Sequence, residues 1–315
     1  MSEEHVSAEP SVVLDEVSVF YGEVVGLSSV SLSMAPGITG LVGPNGSGKT
    51  TLMRLLTGLM PAREGELQVL GGDPFEDASI RARIALVPAS ECFFDRLSAR
   101  QNLEIGFVSR GESAKNARKK ADAALESVGL LAEGHRIYRT WSRGMRQRLK
   151  LALALNVDVD VVLLDEPFLG VDPPSRRRIR QLVEELGKTA HTVLISSHVL
   201  HEIESLTDRV AILAHGRLLG HGQVKSLLEA LREQHPMRIL LQTDKPRELA
   251  SLALAHSGVL QVRFDGEQGL ELLSAQPEEL YRRLPQWLQE CGAVVRRLSS
   301  PDESLEALIE QVTSA

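Results

Sequence analysis

The stretch LVGPNGSGKTTLMRLL, residues 41–56, constrains this chain more than any other. Gly43-x-x-x-x-Gly48-Lys49-Thr50 has the spacing of a phosphate-binding loop. Glycines there let backbone N–H groups crowd around phosphate oxygens, where side chains would obstruct them. Pro44, Asn45, Gly46 and Ser47 complete the cradle. Lys49 can reach the β- and γ-phosphates, the Thr50 hydroxyl can ligate Mg²⁺, and Thr51 beside it belongs to the nucleotide-binding set. The context agrees. GITGLVG reads as a short buried strand entering the loop, and Leu52, Leu55, Leu56 and Leu59 repeat as the buried face of a helix. The start of that helix points the positive end of its dipole at the phosphates. An ordinary glycine-rich turn requires neither the lysine nor the hydroxyl, so the loop is read as a nucleotide site.

The length of 315 residues suits one large and one small domain. With 43% hydrophobic and 24% charged residues, the chain has the balance of a globular protein with an ample core. A net charge of −7 argues against a nucleic-acid partner. No apolar run approaches the ~18 residues of a membrane span, and the acidic start MSEEHVSAEP is unlike a secretion signal. Cys92 and Cys291 offer neither metal-ligand spacing nor a disulfide framework. A reducing cytosol is the expected home.

Up to about residue 222, apolar strands alternate with helical stretches, which predicts a mainly parallel sheet covered by helices. Strands are expected at 38–42, 84–88, 160–165 and 191–197, and SVVLDEVSVF and GLSSVSLSM alternate more like antiparallel strands. Residues 223–236 read as a connector helix. Beyond them come strand MRILLQT, helix KPRELASLALAHSG, strands VLQVRFDG and LELLSA, a helix interrupted by Pro285, and strand AVVRRLSS. The resulting β-α-β-β-α-β order, over residues 237–315, is ferredoxin-like. A last helix carries Leu305, Leu308, Ile309 and Val312.

Downstream, VVLLDEP (161–167) is an apolar strand ending in two adjacent carboxylates. Both could not crowd one ion without repulsion, so they are expected to divide the work. Asp165 holds the metal beside Thr50, and Glu166 is the candidate general base that polarises the attacking water. In TWSRGMRQRLKLALAL (140–155), Ser142 precedes a helix whose Leu149, Ala152, Leu153 and Leu155 are candidates for burial. Ser142 can serve simply as an N-cap, or it can face outward with the Gly144 N–H to bind an anion. The residues alone favour the cap.

Taken in order, the phosphate loop, WSRGM, LLDEP and SSH resemble the ATP-binding subunit of an ABC transporter over residues 11–222, with a helical subdomain at about 90–158. The fold implied is an α/β P-loop ATPase with helical and antiparallel β subdomains, followed by the small α+β domain. The resemblance makes WSRGMRQR the signature motif, with Ser142, Gly144 and Met145, and LGVDP the D-loop, with Asp172. His198 becomes the residue that bonds the γ-phosphate, and Tyr21 the ring that stacks on adenine; taken alone, Tyr21 reads as a packing aromatic. It further implies ATP and Mg²⁺ as cofactors and a head-to-tail dimer, expected to be a homodimer, in which Ser142 of one chain caps the nucleotide held by Lys49 of the other. A separate membrane permease at the cytoplasmic face would be the partner, docked near LSARQNL.

Two positions depart from the family pattern. Where the family usually has Pro-Gln, this chain has Pro88-Ala89-Ser90-Glu91, and a methyl group cannot ligate a cation, so either Glu91 or Ser90 substitutes through a shifted loop, or coupling is unusual and hydrolysis slow. Arg143 replaces a glycine common in signatures. SRRRIR (175–180) reads as a solvated helix face, with Ile179, Leu182, Val183 and Leu186 turned inward. The small C-terminal domain resembles exporter subunits. A soluble ribosome-acting ATPase usually carries two cassettes, and a chromosome-maintenance ATPase separates its two nucleotide motifs by a long coiled coil. A weakly hydrolysing, ATP-gated partner sits poorly with the intact Glu166 and His198.

Overall fold

The computed structural model of the chain describes residues 9–188, 192–227, 230 and 236–301. Two compact units divide it, Met1–Gln223 and Val224–Ala315.

The first unit is built on a six-stranded sheet in the order β5-β6-β7-β3-β8-β9. Its strands are β3 (Gly37–Val42), β5 (Ile84–Val87), β6 (Val161–Leu164), β7 (Thr192–Ser197), β8 (Arg209–Ala214) and β9 (Arg217–Gln223). All neighbours are parallel except the β8–β9 hairpin. Continuous apolar runs explain the central strands: all four β6 residues and all six of β7 are buried, as expected where helices cover both faces of a parallel sheet. Helix α6 (Pro173–Lys188) does turn Ile179, Leu182, Val183 and Leu186 inward.

A second, antiparallel sheet takes the order β2-β1-β4, with β1 (Val12–Tyr21), β2 (Val24–Met34) and β4 (Glu64–Val69). Its Val12, Leu14, Leu27 and Val30 join Leu41, Leu52, Leu163 and Leu194 in one core cluster. The sequence reading placed β1 and β2 but not β4, β8 or β9. Helix α1 (Lys49–Leu56) buries Leu52, Leu55 and Leu56. Leu59 departs from expectation: it is 68% exposed. The helix has ended, and Gly58 turns the chain at φ 67°, where a Cβ would lie 2.2 Å from the Pro74 carbonyl oxygen.

After the short helix α2 (Ala78–Ala82), helices α3 (Ala99–Ser109), α4 (Ala114–Ser127) and α5 (Arg143–Leu155) form the helical part. Ser98 and Gln101 close a reciprocal capping box at the start of α3. Leu103, Phe107, Ala121 and Leu125 are fully buried. In α5 the buried positions are Leu149, Leu151, Ala152 and Ala154, with Gly144, Gln147 and Lys150, whereas Leu153 and Leu155 are only half-buried. Contacts on several sides replace the single apolar stripe that spacing suggested. Helix α7 (Leu200–Glu204) follows β7.

The second unit has strands β10 (Met237–Thr243), β11 (Val259–Asp265), β12 (Gly269–Ser274) and β13 (Val295–Ser299) and helices Pro246–Leu254 and Pro277–Cys291. The sheet order β11-β12-β10-β13, with every pair antiparallel, gives the β-α-β-β-α-β arrangement. Met237, Ile239 and Leu241 alternate inward and meet Leu249, Leu280, Leu284 and Trp287 from the helices. Pro285 does not interrupt its helix, which runs through it to Cys291. The expected connector lies partly outside the described residues, and the last helix, with Leu305, Leu308, Ile309 and Val312, wholly outside them.

Candidate functional site

Strand β3 delivers the chain into the loop at residues 43–48, and two glycines there are dictated by close approach. A Cβ on Gly43 would sit 2.0 Å from the Leu213 carbonyl oxygen, and one on Gly48, at φ 107°, 2.7 Å from that of Gly26. The loop curls around Lys49, whose Nζ donates to the carbonyls of Gly43 (2.6 Å) and Pro44 (3.1 Å) and stands 3.5 Å from Glu166 Oε1. The lysine is 6% exposed. Ser47 Oγ is buried with no hydrogen-bond partner. A glycine cradle, a caged cation and an orphaned hydroxyl together fit an anionic ligand.

The two carboxylates at the tip of β6 do separate. Asp165 Oδ2 accepts from Thr50 Oγ1 at 3.1 Å, and Asp165 Oδ1 from Ser196 Oγ at 2.8 Å. Glu166 adopts a left-handed backbone, φ 46°. Its carboxylate has Oε2 2.8 Å from His198 Nδ1 and Oε1 towards Lys49. Ser196 also accepts from the Glu166 N–H at 2.9 Å, so one buried hydroxyl fixes both acids. Sequence reading passed over Ser196, although a serine at the end of an apolar strand beside the acidic tip is the signal that could have found it. Thr50 and Asp165 are hard oxygen donors. Such donors suit Mg²⁺, which is bound through one or two protein oxygens and otherwise keeps waters and takes phosphate oxygens; among the described residues no group of three or more His, Cys, Asp or Glu side chains gathers as a metal site.

Tyr21, 43% exposed, stands at the mouth of a cavity of about 280 Å³ shared with Lys49, Thr50, Ala89, Asp165 and Glu166. Its hydroxyl lies 3.4 Å from Met60 Sδ and 3.5 Å from Thr51 Oγ1, and its ring lies against Gly26. A flat ring placed there could stack on a base.

A second group forms at the start of α5. Ser142 caps the helix, its Oγ accepting from Met145 N–H at 3.3 Å. A Cβ on Gly144 would lie 2.5 Å from Ser175 Oγ and 3.0 Å from Asp172 Oδ1, so glycine lets this turn settle on the Asp172–Ser175 segment. Asp172 accepts from the Ser175 N–H at 3.1 Å, a bond that holds its carboxyl below the ordinary range. The Arg143 guanidinium covers Gly170. None of Ser142, Gly144, Met145 or Asp172 lines the cavity around Lys49.

The substitution expected of Glu91 or Ser90 is not what the structure holds. Glu91 is bonded to the Tyr138 hydroxyl and lies 3.4 Å from Arg146, whose guanidinium stands 5.0 Å over the Tyr138 ring. Burial first, then the Glu91 carboxylate, pushes the Tyr138 phenol above its usual value. Of residues 88–91, only Ala89 lines the cavity. Within SRRRIR, Arg176 bonds Glu202 at 2.9 Å and Arg178 the Ser127 carbonyl at 2.8 Å, so part of that run serves the fold.

A loop that offers amides and a caged ammonium, opposite a hydroxyl–carboxylate pair and a glutamate–histidine pair, is matched in charge to a nucleoside triphosphate. The parallel sheet that presents them places the chain among P-loop nucleotide-binding proteins. Comparison narrows the class. The family described as ABC transporter matches residues 27–169. The daunorubicin resistance ATP-binding protein DrrA3 of Streptomyces coeruleorubidus is 35% identical, over 70% of this chain and 70% of that protein. The daunorubicin/doxorubicin resistance ATP-binding protein DrrA of Streptomyces peucetius is 30% identical over 93% of this chain and 89% of its own length. A solved nucleotide-free ATP-binding cassette from an ABC transporter superposes with a TM-score of 0.62 at 26% identity, covering 70% of this chain and 95% of that one. The chain belongs to the ABC transporter ATP-binding subunits and is an ATPase of that family. Such subunits pair and work with membrane subunits. In this chain no described helix is long and apolar enough to cross a membrane.

Proposed function

We propose that this chain is the motor of an exporter, working at the cytoplasmic face of a membrane against a separate permease, as a head-to-tail homodimer with two nucleotides between its copies. The observation that carries the reading is the split site: one chain keeps Ser142, Gly144 and Asp172 away from the cavity that holds Lys49. Two copies would complete each other. The direction is taken from the relatives named for drug resistance.

In this reading the loop 43–48 and Lys49 bind the β- and γ-phosphates, and Tyr21 supports the base. Thr50 and Asp165 would hold Mg²⁺, which when bound neutralises phosphate charge. Glu166 takes a proton from the attacking water as its oxygen bonds to the γ-phosphorus and the bond to the bridging oxygen breaks, leaving ADP and inorganic phosphate. His198, 2.8 Å away, holds the Glu166 carboxylate in place. From the partner copy, the Ser142 hydroxyl and the Gly144 N–H would close over the γ-phosphate.

Mixing two inactive variants tests the split. Lys49→Ala breaks the loop half and Ser142→Glu the signature half. Alone, each is expected to be nearly inactive. Mixed in equal amounts, they should recover about a quarter of the wild-type rate, because half the dimers are mixed and each has one whole site. No recovery, in a mixture shown to exchange partners, would remove the two-chain site.

A further inference from the structure

Lys150 lies in α5, the helix that begins beside Ser142, and is only 5% exposed. Its Nζ donates to three consecutive main-chain oxygens, those of Pro88 (2.8 Å), Ala89 (3.4 Å) and Ser90 (3.2 Å). An ammonium has three protons, and one turn of loop meets all three. Burial draws the amine's pKa down, against the opposing pull of the nearby Cys92, Glu91 and Asp165, and a buried ammonium is costly unless its protons are hydrogen-bonded, as they are here by the three carbonyls. A leucine would pack the helix without that cost. The lysine therefore serves the loop.

A second tie reinforces the first. Glu91, at the end of the same loop, is held by Tyr138 and by Arg146, which is also on α5. At its other end the loop is rooted beside the acidic strand tip, where the Asp165 N–H donates to the Val87 carbonyl at 2.9 Å. Between these anchors Ala89 faces the phosphate cavity next to Asp165 and Glu166.

We propose that Lys150 is a positioning residue for the ATPase. It holds the loop Pro88–Ser90 at the phosphate cavity from the helix that starts at the signature, so that these two parts of the chain move together although Ala89 has no side chain to reach the site. The inference rests on the proposed nucleotide site and adds a residue to it.

Steady-state ATP hydrolysis by the full-length protein tests it, with Lys150→Met, Lys150→Arg and Glu91→Gln beside wild type. Lys150→Met keeps the stem and removes the charge. Its kcat is expected to fall about tenfold or more, since small misplacements near reacting groups are costly in rate. KM for ATP should stay within about twofold, because the phosphate loop and Tyr21 are untouched. Lys150→Arg, able to donate to the same carbonyls, should return kcat to within about threefold of wild type. A wild-type kcat in Lys150→Met, or an arginine variant as slow as the methionine one, overturns the proposal. If Lys150→Met does not fold, Glu91→Gln and Tyr138→Phe cut the second tie instead. A kcat lowered about threefold at constant KM in both supports the loop's role, and unchanged kcat in both overturns it. Wild-type turnover that is lost in Glu166→Gln would keep the site reading intact whatever Lys150 does.

Discussion

His198 Nδ1 lies 2.8 Å from Oε2 of Glu166. A glutamate side chain has several rotamers, and this contact holds one of them. In the His198→Ala variant the carboxylate loses this partner, and kcat should fall about tenfold to a hundredfold, with ATP binding retained. Turnover measured against nucleotide titration checks this; a kcat equal to wild type would leave Glu166 needing no such partner.

Removing the base itself should do more. Glu166→Gln keeps the shape and deletes the charge 3.5 Å from Lys49. Turnover should drop by roughly 10²–10⁴. ATP should bind at least as well, since one negative charge beside the phosphates is gone. Light scattering should find a dimer that accumulates with ATP, and a monomer under those conditions would contradict the clamp.

Ala89 is exposed and lines the cavity, so a longer side chain has room there. Ala89→Gln should lower the Mg²⁺ concentration needed for half-maximal turnover, while stability changes by no more than about 0.5 kcal/mol. Turnover titrated with Mg²⁺ and a melting curve decide the matter. An unchanged Mg²⁺ dependence would mean that the loop, not the missing amide, sets the ion's place.

The small C-terminal unit has its own core. Leu272 is fully buried among Ile239, Leu280 and Trp287. Leu272→Ala should cost about 2–5 kcal/mol of that unit's stability. Trp287 fluorescence during denaturant unfolding of a full-length Trp141→Phe protein reads the change directly.

What the sequence disclosed depended on range. The phosphate loop and the acidic strand end are local patterns, and Lys49, Thr50, Asp165 and Glu166 do converge. Leu59 misled because an apolar repeat continues in letters after Gly58 has turned the chain away. Pro285 misled because a proline inside a helix removes a donor without always ending it. Glu91 was misread for a different reason: its partners Tyr138 and Arg146 lie 47 and 55 residues further on. Lys150 carries no local signal, because its partners, the carbonyls of Pro88, Ala89 and Ser90, lie 60 to 62 residues earlier.

The backbone at Glu166 has its own consequence. A side chain held at φ 46° costs roughly 1–2 kcal/mol that glycine would not incur, and that torsion accompanies the parting of the two neighbouring acids. Selection for thermal robustness alone would favour glycine or asparagine at this position and yield a sturdier, inert protein. Here durability and turnover pull a single torsion in opposite directions.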